Sequence, residues 1–117
     1  PTIVARDGKP VYVIGSPGGR TIINTVTQVI LNVIDHKMNI AQAAEAGRIH
    51  HQWLPDITTI ERLMISPDTR RMYEAMGHKV RERTSQGSVM AIAIDNEKDL
   101  LQGAADSRSP DGGASGF

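Results

Sequence analysis

The sequence predicts an α+β fold in which helices pack on one face of a mainly antiparallel sheet. Three observations predict it. Short β-branched runs separated by turn residues stand near both ends of the chain, one long amphipathic run follows the first of them, and helix caps mark two shorter helices in between. Because neither a repeat nor a linker interrupts the 117 residues, we expect a single domain over 1–117.

The first two strands are expected to form a hairpin. Thr2 to Ala5 and Val11 to Ile14 are rich in β-branched residues, and Asp7-Gly8 between them is a turn signal. The stretch "VIGSPGGRTII", Val13 to Ile23, contains the end of the second strand, two adjacent glycines and the start of a predicted helix.

A long helix is predicted from Thr21 to His36. Its apolar residues recur at helical spacing, and its polar residues fall on the opposite side. Because many of its residues are β-branched, packing on a sheet must stabilise this helix more than its intrinsic propensity does. The apolar positions are Ile22, Ile23, Val26, Val29, Ile30, Val33 and Ile34.

The middle of the chain carries a second, shorter helix. Asn39 followed by Gln42 is the pattern of a capping box, and Gly47 is a stop signal for the Ala-rich run between them. The segment 48–56 is expected to be irregular or extended, and the segment 58–64 is a candidate strand.

The C-terminal third predicts a helix followed by strands. Ser66-Pro67-Asp68 combines a cap, a first-turn proline and an acidic residue, and Gly77 ends this third helix. Val80 is expected in a strand, Val89 to Ile94 in a buried strand, and Leu100 to Ala105 in the strand that returns beside it.

Composition excludes several classes of function. Thirteen basic and thirteen acidic residues balance, so we expect no nucleic acid to bind through bulk charge. Without cysteine there is no disulfide, thiol nucleophile or Cys-based zinc site. The four histidines lack ligand spacing, so neither a metal nor a cofactor is expected. We expect Trp53 to be a core or edge filler and the five methionines to serve packing.

Gly18 and Gly19 form a candidate anion cradle. The start of a helix leaves backbone N–H groups without partners, and glycine lets a ligand approach them closely. The ligand is a phosphate, a carboxylate or the oxyanion of an acyl transfer; the alternative is a plain strand-to-helix turn. A P-loop is excluded because the Lys-Ser/Thr pair is missing.

At these residues the chain resembles a known family. The stretch "GSPGGRTIINTVTQVILNVIDHKMNIAQAAEAGRIHHQWLPD", Gly15 to Asp56, is similar to the γ-glutamyltranspeptidases, and the similarity continues through "SPDTRRMYEAMGHKV" to "AADSRSPDGGASGF". The family belongs to the N-terminal-nucleophile hydrolases, which have an αββα sandwich. The resemblance therefore implies that this chain is part of such a sandwich.

The resemblance also implies a function. In this family a precursor cleaves itself into two subunits, and the new N-terminal Thr of the small subunit attacks the γ-glutamyl carbonyl of glutathione or a related compound. The acyl group then passes to water, an amino acid or a peptide. Carried over, the backbone N–H groups of Gly18 and Gly19 form the oxyanion hole, Gly19 also contacts the substrate, and Arg108 makes a structural ion pair.

The Thr nucleophile and the Ser-Ser pair that binds the substrate's α-carboxylate have no counterpart in this sequence. The chain therefore resembles the C-terminal part of a small subunit, inactive without its partners, which are the remainder of that subunit and the large subunit. The cut faces of its sheet predict self-association of the chain alone. The family resemblance implies an enzyme that is periplasmic, secreted or membrane-anchored and facing outward.

Two functions of other classes remain open at this point. One is a non-catalytic module that binds a carboxylate or phosphate at the glycine loop. The other is a tautomerase in which the secondary amine of Pro1 is the base; only the first residue favours it.

Overall fold

The computed structural model describes residues 1–116, which form two sheets and three α-helices. In chain order the elements are β1 (Thr2–Arg6), β2 (Lys9–Gly15), a 3₁₀ turn (Gly19–Thr21), α1 (Ile22–Ile34), α2 (Ile40–Glu45), β3 (Ile49–His50), β4 (Thr58–Glu61), α3 (Pro67–Ala75), β5 (Val80–Arg83), β6 (Met90–Asp95) and β7 (Leu100–Ala105). The α+β class and the mainly antiparallel pairing are confirmed.

The larger sheet has four antiparallel strands in the order β1-β2-β6-β7. The predicted hairpin is present, and Asp7 and Gly8 turn it with φ angles of 51° and 75°. The central pair β2 and β6 aligns Ile14 with Ala91, and both side chains are buried. This sheet carries the glycine stretch at the end of β2.

The smaller sheet pairs β3 with β4 antiparallel and β4 with β5 parallel. β4 ends at Glu61, three residues before the predicted Met64, because Leu63 adopts a φ of 64° and turns the chain into solvent. The segment 48–56, expected to be irregular or extended, contains the short β3. The connection from β4 to β5 runs through α3, as a parallel pair requires.

Helices α1 and α2 pack on the larger sheet and form the core with it. Asn39 caps α2 in the predicted box: its Oδ1 accepts from the Gln42 amide at 2.8 Å. Ser66 caps α3 and accepts from the Thr69 amide at 3.1 Å. The buried apolar residues of the core are Ile14, Val26, Val29, Val33, Ile40, Ala43, Ala44, Val89, Ala91 and Ala104.

Some side chains predicted to be buried are exposed. Ile23 in α1 is 77% exposed, so the buried stripe of that helix is narrower than its apolar pattern. In β6 only Ala91 is fully buried, and Met90 and Ile92 on the opposite face of the sheet are about 40% exposed, so the expectation of a buried strand holds only in part. Trp53 is 79% exposed, with a φ of 71° in a segment that projects from the smaller sheet, and it fills neither core nor edge.

The predicted packing role of the methionines holds only in part. Met38 packs against the core, whereas Met72 and Met76 are more than two-thirds exposed on α3. No residue of that helix is buried, because it covers the smaller sheet only through side-chain ends such as Tyr73, whose hydroxyl lies 3.1 Å from Thr58 Oγ1.

Candidate functional site: a glycine loop beside a buried ion-pair network

Residues 16–19, which we call the glycine loop, connect β2 to the 3₁₀ turn that precedes α1. Gly18 has a φ of 141° and Gly19 a φ of 55°, values that side-chain-bearing residues rarely adopt. At Gly18 space is also limiting, because a Cβ atom would lie 2.5 Å from Thr21 Oγ1. At Gly19 the positive φ favours glycine, although a Cβ atom there would meet nothing within 4 Å.

The amides of this loop have no internal partner. The Gly18 carbonyl accepts from the backbone N–H of Thr21 at 3.1 Å and from its hydroxyl at 3.0 Å, which closes the turn. Across residues 1–116, neither the Gly18 nor the Gly19 amide donates a hydrogen bond, and both residues are exposed. Two adjacent donors at a helix start are therefore open to an anion.

A second loop, residues 86–88, supports the glycine loop from behind. Ser16 Oγ accepts from the Ser88 amide at 3.0 Å and donates to the Pro17 carbonyl at 2.7 Å. Gly87, with a φ of 68°, allows this approach, because a Cβ atom there would lie 2.6 Å from Ser16 Oγ. No local pattern predicts this contact, since a single glycine between polar residues looks like any turn glycine.

Behind residues 86–88 lies a network of four charged side chains. Arg48, only 1% exposed, donates through Nη2 to Asp106 Oδ2 and to the Ala44 carbonyl, both at 2.6 Å. Its Nη1 donates to the Gln86 carbonyl at 2.7 Å. A buried arginine therefore joins the end of α2, the supporting loop and the residue after β7.

Glu61 is the second centre of the network. Its carboxylate, 3% exposed, accepts from the Arg48 amide at 3.0 Å and the Gln86 amide at 2.6 Å. It also accepts from Arg108 through Nε at 2.8 Å and through Nη2 at 2.5 Å. This bidentate arrangement is the stronger form of an arginine–carboxylate pair.

Arg108 and Asp106 complete the network. Asp106 accepts from the Val89 amide at 2.5 Å and from the Arg108 amide at 2.8 Å. Burial opposes the charge of Arg108, but its hydrogen bonds to Glu61 and the nearby negative charges together raise the pKa of its guanidinium above the usual value. Two cations and two anions thus balance inside the protein.

Sequence reasoning singled out only Arg108 of these four residues. Arg48 and Glu61 lie far from Arg108 in the chain and belong to no local motif, whereas Asp106 stands two residues before Arg108. The link between Arg48 and Glu61 becomes visible only in the structure, where the β3–β4 pairing brings the two residues together.

Other candidate residues lie elsewhere. Pro1 is exposed and lies beside Gly15, at an open, mostly apolar cleft of about 520 Å³ that Val13 and Ile92 also line. His51 pairs with Asp56 at 3.2 Å. Among residues 1–116 no three His, Asp or Glu side chains are grouped to hold a metal, and none of the described helices has the length and hydropathy to cross a bilayer.

Comparison with known sequences gives a consistent result. The profile of the family described as gamma-glutamyltranspeptidase matches residues 1–116. The glutathione hydrolase proenzyme of Escherichia coli (strain K12) is 46% identical over 117 residues, which are 100% of this chain and 20% of that protein. That of Bacillus subtilis (strain 168) is 38% identical over 118 residues, again 100% of this chain and 20% of the relative. The chain thus spans about a fifth of these relatives.

Solved structures agree. A γ-glutamyltranspeptidase mutant from Helicobacter pylori superposes with a TM-score of 0.89 at 41% identity over 93% of this chain and 60% of that chain. An acivicin-inhibited γ-glutamyltranspeptidase, whose C-terminus is described as critical in autoprocessing and catalysis, gives 0.88 at 43% identity over 92% and 58%. The transpeptidase CapD of Bacillus anthracis, at 23% identity, shares the fold with a TM-score of 0.84 over 100% and 69%.

The fold is therefore that of the N-terminal-nucleophile hydrolases. Within that class, the chain belongs to the γ-glutamyltranspeptidase family.

Proposed function

We propose that this chain is a single domain forming the C-terminal part of the small subunit of a γ-glutamyltranspeptidase. The complete enzyme transfers the γ-glutamyl group of glutathione and related compounds to water, an amino acid or a peptide. Family membership along residues 1–116 supports this proposal. So does the difference in coverage, since the chain matches 20% of a proenzyme but 60% of a chain in a solved structure.

The observation that carries the mechanism is the pair of unpartnered amides at Gly18 and Gly19. When the nucleophile attacks the γ-glutamyl carbonyl, the carbonyl carbon becomes tetrahedral and the carbonyl oxygen gains negative charge. Two fixed N–H donors, at the positive start of the helix after the loop, stabilise that oxygen more than they stabilise the neutral carbonyl. One such donor lowers the barrier by about 3 kcal/mol.

The tetrahedral intermediate then collapses. The C–N bond to the leaving amine breaks as that nitrogen gains a proton, and an acyl-enzyme ester remains. Water or an acceptor amine attacks the ester, and the same two amides stabilise the second oxyanion. The ester C–O bond then breaks, and the oxygen of the nucleophile takes up the proton that the attacking water or amine loses. In this proposal Gly19 also contacts the bound substrate, the nucleophile comes from the remainder of the small subunit, and no cofactor takes part.

Arg108 is proposed as a structural ion-pair residue. Its contacts to Glu61 and to the Ala46 carbonyl hold the segment after β7 against the end of α2. The network then fixes residues 86–88, which in turn contact Ser16. The role described for the C-terminus of the acivicin-inhibited relative supports this proposal.

The partners are proposed to be the remainder of the small subunit and the large subunit. Apolar side chains on the larger sheet support this, since Ile3 and Leu101 are each 67% exposed. Such surfaces are typically covered in an assembly, and in the chain alone we expect them to promote self-association. From the family resemblance alone, we further propose that the parent enzyme is exported or faces outward.

The test compares two preparations in an assay with a chromogenic γ-glutamyl anilide. The chain alone should show no turnover, because an oxyanion hole without a nucleophile leaves most of the activation barrier in place. The proenzyme that contains this chain should mature and turn the substrate over. Lack of γ-glutamyl transfer by the matured protein, or sustained turnover by the purified chain alone, would contradict the proposal.

A further inference from the structure

A small cleft lies between the 3₁₀ turn and the smaller sheet. Its volume is about 50 Å³, and Arg20 and Thr21 form one wall directly after the glycine loop. The opposite wall belongs to the smaller sheet and to the segment between β3 and β4. The residues on that side are His50, Gln52, Pro55, Ile57, Thr59, Arg81 and Arg83.

Strand register explains why these side chains meet. His50 is aligned with Thr59, and Thr59 with Arg81, so the three lie in one row across the sheet. Arg83 follows Arg81 by two residues and therefore shares its face. Arg20 adds a third guanidinium from the side of the glycine loop.

These three arginines have no anionic partner among the described residues 1–116, in contrast to Arg70 and Arg71 on α3. Arg70 pairs with Glu74 at 2.9 Å and with Glu82 at 2.6 Å. Glu82, which lies between Arg81 and Arg83, is thus occupied on the other face of the sheet. Three like charges around one cleft repel each other unless an anion binds among them.

His50 supplies a second, independent observation. The residue is 6% exposed, and its buried Nδ1 atom has no hydrogen-bond partner. Its Nε2 atom lies 3.0 Å from Gln52 Oε1 and is satisfied by that contact. A buried nitrogen without a partner is unfavourable, so Nδ1 marks a polar position that a ligand in the cleft can satisfy.

We propose that this cleft binds the terminal carboxylate of the acceptor peptide whose amine attacks the acyl group held at Gly18 and Gly19. The proposal rests on the function proposed above. A volume of about 50 Å³ is sufficient for a carboxylate. Arg20 lines the cleft and follows Gly19 directly in the chain, and a dipeptide separates its reacting nitrogen from its carboxylate by about 7 Å, so we expect one ligand to reach both features.

The first experiment titrates the complete protein with acetate at constant ionic strength and follows the imidazole resonance of His50, assigned by its loss in His50→Gln. We expect a saturable shift that the double variant Arg81→Gln/Arg83→Gln abolishes. Arg71→Gln, which removes an exposed charge on α3 that pairs with Asp68, is the matched control and should keep the shift. Absence of the shift, or its survival in the double variant, would overturn the anion site.

The second experiment identifies the source of the carboxylate. It compares glycylglycine with glycylglycinamide as acceptors, with a γ-glutamyl anilide as donor. We expect the double variant to lower the kcat/KM ratio of the acid over the amide about tenfold, through KM, and the control to leave it unchanged. An unchanged ratio despite an acetate shift would assign the cleft to free anions and overturn the peptide assignment. A wild-type enzyme without donor turnover would refute the proposed function, and the acetate titration would still decide the cleft.

Discussion

The glycine loop and the ion-pair network behind it differ in whether their polar groups have hydrogen-bond partners within the chain. In the network, each of the four charged side chains finds partners inside the chain, and Arg48 and Asp106 are almost fully buried. In the loop, the adjacent amides of Gly18 and Gly19 are exposed and find none among residues 1–116. Groups satisfied internally serve to hold the fold together, whereas preoriented groups left open are available to a ligand.

The two regions are joined by residues 86–88. The network holds this segment through Gln86, whose carbonyl and amide both bond to it, and the segment holds the glycine loop through Ser16. Changes in the network should therefore lower stability first, and changes in the loop should lower catalysis first.

The largest effect is expected from Arg48→Met. The substitution leaves Asp106 buried and charged without its main partner, which costs about 3–5 kcal/mol. Arg71→Met is the control, because its exposed pair with Asp68 contributes at most about 1 kcal/mol. Urea unfolding of both variants checks this, and equal losses would show that the network contributes no more than a surface pair.

Gly19→Val should act on the reaction instead. A β-branched side chain at a φ of 55° displaces the amide from the oxyanion, and kcat of the complete enzyme should fall about 100- to 1,000-fold. Gly8→Val is the matched control, since Gly8 also has a positive φ of 75° and an added Cβ would meet nothing within 4 Å. A rise in KM with unchanged kcat would indicate plain substrate binding at the loop.

Ser16→Ala tests the connection between the two regions. It removes the acceptor for the Ser88 amide, and we expect a loss of about 1 kcal/mol in the free energy of unfolding. Because the glycine loop loses its support, kcat should fall together with stability, by less than in Gly19→Val. A stability loss with unchanged kcat would mean that residues 86–88 do not position the loop.

The smallest effect is expected at Asp95, far from both regions. Its Oδ1 accepts from the amides of Lys98 and Glu97, which lowers the pKa of the carboxyl below its usual 3.8. A lowered folded pKa stabilises the protein above pH 3.8, and this contribution disappears as the pH falls through the folded value. Asp95→Asn should thus lower Tm slightly at pH 7, and the gap in Tm should narrow as the pH falls below 3.8; a gap that stays constant as the pH falls would contradict this.

Local signals predicted most of the fold. The turn at Asp7-Gly8 and the caps at Asn39 and Ser66 depend on neighbours within three residues, and each lies where the sequence placed it. The parallel pairing of β4 with β5 was not predicted, because it joins segments separated by a helix. Burial was predicted least well, as Trp53 and Ile23 show, since the pattern of a strand or helix does not reveal which faces the rest of the chain covers.

The candidate site divides in the same way. Gly18 and Gly19 could be named as candidates because two adjacent glycines before a helix form a local pattern. Arg48, Glu61 and Asp106 were missed because their meeting depends on strand pairing across long stretches of sequence. Only Arg108 was noticed, and only through a family resemblance.

The most direct test of the oxyanion hole is a crystal structure of the complete, matured enzyme carrying a stable tetrahedral γ-glutamyl adduct. The loop geometry predicts that the adduct's oxygen lies about 2.7–3.1 Å from the backbone nitrogens of both Gly18 and Gly19. An adduct whose oxygen points to solvent or to other donors, with these two amides still unoccupied, would contradict the assignment of the loop.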